Sequence, residues 1–126
     1  MIRFLAVTAL TLAAGLASAH EDAPRQAQHG GVVVEAASGQ QVELSAAGGM
    51  LMVYLHDHDG VPIASQAALA EATVLSGASK QVLVLRPSGG NALMAAEPFS
   101  AAPGSKAVVR LTLPGQAVEQ LRFVLP

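Results

Sequence analysis

The amino-acid sequence predicts an all-β fold, an antiparallel β-sandwich of seven to eight short strands, and three observations carry that expectation. From Gly31 onward the chain is a succession of short Val- and Leu-rich runs. Turn signals separate them: Ser38-Gly39, Gly48-Gly49, Asp59-Gly60 with Pro62, Ser76-Gly77, Ser88-Gly89-Gly90-Asn91, Pro103-Gly104 and Pro114-Gly115. Several runs alternate apolar and polar residues, the period-2 pattern of a strand with one face on a core.

Taken in order, the predicted strands are Val32 to Ala36, Gln41 to Ala46, Met50 to Asp57, Ala70 to Leu75, Gln81 to Arg86, Lys106 to Leu113 and Val118 to Leu125. The first is a run of three valines. In the second, Val42 and Leu44 oppose Gln41 and Glu43. In the third, Leu51, Val53 and Leu55 form a purely apolar set, the better core face, opposite Met50, Met52, Tyr54, His56 and, if the strand persists, His58. Val82 and Val84 oppose Gln81, and Val109, Leu111 and Leu113 alternate with Arg110 and Thr112. Ala-rich windows give weak helix signals at Gln66 to Ala72 and at Ala92 to Glu97, the latter equally readable as an eighth strand. Strand number and turn spacing suit an immunoglobulin-like or cupredoxin-like sandwich.

Before this region lies a leader. Met1-Ile2-Arg3 is a short positive start, Phe4 to Leu16 is apolar but too short to span a bilayer, and Ala17-Ser18-Ala19 has the small-residue pattern read by signal peptidase. The expected organisation is a signal peptide over residues 1–19 cleaved after Ala19, a mobile arm over 20–30, and one domain over 31–126. The mature product is then periplasmic, with no membrane span left. Its 107 residues suffice for one small core. Cysteine is absent, so thiolate metal sites are excluded and the core must hold without disulfides. Six Lys and Arg against nine Asp and Glu give the mature chain a formal charge of −3, and no basic cluster occurs, which argues against a nucleic-acid partner. Tyr54, Phe99 and Phe123 are its only aromatics, too few for a stacking platform.

The residues with chemistry to offer are His20, His29, His56 and His58, joined by Met50 and Met52 on the same strand face as His56. Imidazole and thioether are ligands that suit copper, the thioether Cu(I) in particular, while imidazoles alone also take zinc or nickel. Each has a plainer reading beside this one. Methionine fills gaps in cores, and paired histidines in a turn are often only solvated. Cleavage after Ala19 would expose His20 as a new terminus, whose amine and imidazole, with one more imidazole from His29 or His56, make a three-nitrogen brace for Cu(II). His29-Gly30-Gly31 sits at the entrance to the first strand, where two glycines allow a sharp turn or a close approach.

Other chemistries find little support. Asp57-x-Asp59-Gly60 is not a calcium loop, because Leu55 and Gln66 stand where carboxylates are required, and it reads as a turn. There is no nucleophile elbow and no phosphate loop, and Glu35, Glu43, Glu71, Glu97 and Glu119 occupy positions typical of solvated strand faces. The expectation is a protein without catalytic residues.

The segments His29-Gly30-Gly31-Val32-Val33, Val42-Glu43-Leu44 and Met52 through Pro62 resemble small exported proteins of bacterial copper and heavy-metal handling. They are also similar to N-terminal segments of periplasmic adaptor subunits of heavy-metal efflux pumps. The resemblance covers about Gln28 to Leu85, and more loosely Gly115 to Leu125. It implies a periplasmic β-sandwich that binds metal through His29, His56 and His58, acting as an accessory to copper handling or heavy-metal resistance, with a periplasmic efflux or envelope protein as partner. Members often carry His-rich arms; here the arm holds only His20 and His29, which speaks against bulk storage. The competing expectation is a metal-independent module that docks through a spare strand edge. A copper oxidase built on the histidine brace ranks third, since nothing shapes a polymer-binding face.

Overall fold

The computed structural model describes residues 26–126; the predicted leader and His20 lie outside them. Eight strands follow one another: β1 Val32–Glu35, β2 Gln41–Ser45, β3 Met50–His56, β4 Leu69–Ser76, β5 Ser79–Gly89, β6 Ala92–Pro98, β7 Lys106–Thr112 and β8 Glu119–Val124. All pairings are antiparallel, in one continuous sheet of order β1-β2-β3-β6-β5-β4-β7-β8 that curls until it is nearly closed, between a barrel and a sandwich. The two chain-end strands, β1 and β8, come alongside each other without pairing.

Period-2 alternation decides which side of the curl each residue faces. Leu44, Leu51, Leu55, Leu85, Leu93 and Leu111 are fully buried, together with Val42, Val53 and Val109. Burying one leucine is worth roughly 2 kcal/mol, so these six alone exceed the ~2–4 kcal/mol typical of a disulfide. The core replaces the missing cross-links.

Two expectations need correction. The Ala-rich stretch Gln66 to Ala72 is not helical: it turns at Ser65–Ala68 and enters β4, where Ala70, Ala72 and Val74 face the core. Helix propensity differences are fractions of a kcal/mol per residue, and β4 is paired along both edges, to β5 and β7. Tertiary pairing wins. Ala92 to Glu97, open to either reading, belongs to β6. The third strand also stops at His56, one residue short of the expected Asp57. There the Asp57 carboxylate accepts hydrogen bonds from the Asp59 and Val61 amides at 3.0 and 2.8 Å and folds the chain back.

Candidate functional site

Alternation along β3 places Leu51, Val53 and Leu55 on the core side, as expected, and Met50, Met52, Tyr54 and His56 on the outer side. Cross-strand register builds the outer surface around them. Tyr54 lies between Glu43 of β2 and Ala92 of β6; Met52 lies between Ser45 of β2 and Met94 of β6; His56 lies beside Gln41.

β2 is buried on both faces. Gln41, Glu43 and Ser45 all point outward, and all are buried. The cover over Glu43 and Ser45 is the end of the N-terminal arm, which folds back over the strand. One Glu43 carboxylate oxygen accepts from the Gln28 amide at 3.0 Å and lies 3.1 Å from His29 Nδ1. The other accepts from the His29 amide at 2.9 Å and the Gly31 amide at 3.1 Å. Ser45 Oγ donates to the His29 carbonyl at 2.6 Å. The His29 ring lies on Tyr54, with centroids 3.5 Å apart and planes at 4°.

Both glycines after His29 are required. Gly30 has φ +71°, which L-residues with a Cβ avoid. At Gly31 a Cβ would stand 2.2 Å from the Leu44 carbonyl oxygen, inside any allowed contact. The arm reaches Glu43 only because its backbone can press against β2.

Glu43 therefore departs from the expectation of a solvated strand face. Burial opposes its ionisation and is the largest single influence on it. The hydrogen bonds from the Gln28 amide, the His29 ring and the His29 and Gly31 amides together outweigh burial and hold the carboxyl below the usual glutamate range. An ionised Glu43 accepts a proton-bearing Nδ1, and in a neutral imidazole that leaves the lone pair on Nε2. A carboxylate behind one ring nitrogen is the arrangement that orients metal-binding histidines and raises their basicity.

The other candidates are dispersed. His56 is buried on the outer face at the end of β3, where its backbone also bridges to Pro62. His58 does not share that face: it sits on the turn with its side chain 73% exposed, Nε2 3.3 Å from the equally exposed Asp59 carboxylate. The strand ends before it, so the persistence of β3 on which a shared face with His56 was conditional does not occur. Met50 and Met52 are half-buried, and Met94, not singled out from sequence, is exposed beside Met52. Among the described residues no three His, Asp or Glu side chains gather to hold a metal. Met52, two residues before Tyr54 on the same outer face, and Met94, across the ladder from it, are thioethers on the strand surface that carries the His29–Tyr54 stack.

Sequence reasoning missed Glu43 and Ser45 because their alternation with Val42 and Leu44 is what an exposed strand face looks like. The available signal was Gly30-Gly31. A pair that permits close backbone approach implies that something is approached, and the polar face of β2 is the nearest candidate in the chain. Among the described residues no helix is long and apolar enough to cross a membrane. No protein-family model, no curated protein and no solved structure matches the chain.

Proposed function

We propose that the mature chain is a periplasmic metal-binding accessory protein of copper handling or heavy-metal resistance, with no turnover chemistry of its own. The observation that supports this reading is the Glu43–His29 pair, in which Nδ1 is engaged at 3.1 Å and Nε2 is the nitrogen left to act as a ligand. The thioethers of Met52 and Met94 are the nearby soft donors that favour copper, in its reduced state above all; zinc or nickel would use imidazole alone. A donor set this open suits a carrier that takes a metal and passes it to an efflux or envelope partner. The exported terminus at His20 would add an amine and a second imidazole.

The second reading is a metal-independent interaction module. It is favoured by the fact that His29 and Glu43 already have a structural task, fastening the arm to β2.

Protein recovered from the periplasm separates the two. Its intact mass should correspond to a chain starting at His20. Titration with Zn(II), followed through the imidazole nitrogen resonances, should move Nε2 of His29 while leaving its Nδ1–H bonded to Glu43. His29→Gln should weaken metal binding at least tenfold, about 1.4 kcal/mol, and Met52→Leu with Met94→Leu should weaken Cu(I) and not Zn(II). A folded His29→Gln protein with unchanged affinity for both metals overturns the metal reading and leaves the interaction module.

A further inference from the structure

The continuous sheet contains a gap. β5 spans Ser79–Gly89 and pairs with β4 from Ser79 to Leu85. On its other edge it pairs with β6 only from Leu85 to Gly89. The cause lies in β6. Between Met94 and Pro98 its register against β3 slips, so that Ala95, Ala96 and Glu97 together oppose the single residue Leu51. A bulge of this kind bends the strand that carries it and ends pairing on the far side. β6 turns toward β3 and away from β5, opening a cleft of about 300 Å³ walled by Val82, Val84 and Arg86 on one side and Ala96 and Glu97 on the other.

Residues 79–84 of β5 are thus a strand edge inside the sheet. Alternate residues of a strand direct both N–H and C=O to the same side. The Ser76–Ser79 hairpin pair turns Ser79, Gln81 and Leu83 toward β4, so Lys80, Val82 and Val84 face the cleft, where the Leu85–Ala95 bridge takes the Val84 carbonyl and no ladder pair takes Lys80, Val82 or the Val84 N–H. The side chains fit the same use: Val82 is 54% exposed and Val84 43%, an aliphatic pair on the outer face of a strand that lacks a neighbour along this edge. Lys80 and Arg86 bracket them along the strand.

We propose that this cleft is a strand-addition site, which takes an extended segment of a partner protein with aliphatic residues at alternate positions and acidic residues at an end that meets Arg86 or Lys80. An extended backbone is the ligand that satisfies a row of alternating donors and acceptors, and side chains of period 2 then lie against Val82 and Val84. Two other occupants fit less well. A second folded copy would bring its own β6 wall against the recessed β5 edge. The chain's own residues 20–25, His-Glu-Asp-Ala-Pro-Arg, lack alternating aliphatics and contain a proline. The site is independent of any metal.

Hydrogen exchange on the exported protein tests the proposal. In the free protein, alternate amides among residues 79–84 should exchange much faster than the paired amides of Leu85 and Arg86. A synthetic peptide of alternating threonine and valine ending in two aspartates should slow those amides about tenfold or more and leave β1, β2 and β8 unchanged. The same peptide with a central proline should not. The double variant Val82→Asp, Val84→Asp should lose the peptide's effect while keeping wild-type protection in β3 and β7, which shows that it is folded. Uniformly slow exchange across residues 79–84 in the free protein overturns the proposal, as does a peptide without effect. Protection that appears with protein concentration alone, alongside sedimentation as a dimer, would assign the edge to a second copy and overturn it equally.

Discussion

The imidazole of His29 lies flat on the phenol ring of Tyr54, 3.5 Å between centroids and 4° between planes, with Glu43 closing the sandwich from the side at Nδ1. These three residues come from the arm, β3 and β2. Tyr54 is opposite Glu43 in the ladder, so the register that pairs the strands also sets the ring beneath the histidine.

Tyr54 supports His29 through its ring and not its hydroxyl. Tyr54→Phe should change stability by no more than roughly 0.5 kcal/mol. Tyr54→Ala should cost about 2 kcal/mol, of which stacking is roughly 0.5–1.5. Proton spectra check the geometry directly: the His29 ring protons should be shifted upfield in the wild type and in Tyr54→Phe, and return to ordinary values in Tyr54→Ala.

Glu43 makes the arm acid-labile. Its pKa is lowered on folding, so its contribution is complete above the unfolded value, near 4.3 for glutamate, and is lost as pH falls through the lower folded value. At neutral pH Glu43→Gln should cost about 2 kcal/mol, the order expected for hydrogen bonds to a charged acceptor. The difference between the two proteins in urea unfolding should hold from pH 7 to about 5 and then close below that range. A difference that grew on acidification would contradict the lowered pKa.

Gly31→Ala should be the more damaging of the two glycine substitutions in the arm. A Cβ there meets Leu44 backbone, which has no rotamer to yield, whereas at Gly30 it meets only the Ala47 side chain at 3.4 Å. Gly31→Ala should cost about 3 kcal/mol or detach the arm, seen as rapid exchange of the Gln28 and His29 amides. Gly30→Ala should cost about 1 kcal/mol, the penalty of a left-handed alanine.

Ala67 carries the same penalty already. It is the one non-glycine residue at positive φ among the described residues, at +65°, in the turn that leads to β4. Ala67→Gly should raise stability by about 0.5 kcal/mol, the relief of left-handed strain less the extra freedom glycine has when unfolded. A small rise in Tm with the upfield shift of the His29 ring protons unchanged is the expected result.

How much of this was legible beforehand divides along a physical line. Local patterns carry their own meaning: alternation in Gln41–Ser45 and Met50–His56, and the Gly-bearing turns between runs, specify strands and their inward faces because the pleat alternates wherever it occurs. Hence the all-β architecture, seven of its eight strands and its leucine core follow from residues read in order, and so does the division of β3 into an apolar face and one of Met, Tyr and His. The strand over Ala92–Pro98 does not, since its Ala-rich run reads equally as helix. Contacts between distant segments carry no such local mark. That Glu43 is buried and not solvated depends on an arm twelve to fifteen residues away folding across β2. That β3 stops at His56 and does not carry His58 depends on one Asp57 carboxylate taking two amides. That β5 pairs with β6 only from Leu85 onward goes with a bulge in β6, where its register against β3 slips. The sequence by itself determined which residues face the core; only closure of the sheet decided which of the outward-facing ones meet solvent and which meet one another, because that choice is made by chain segments that pair across the fold and not along it.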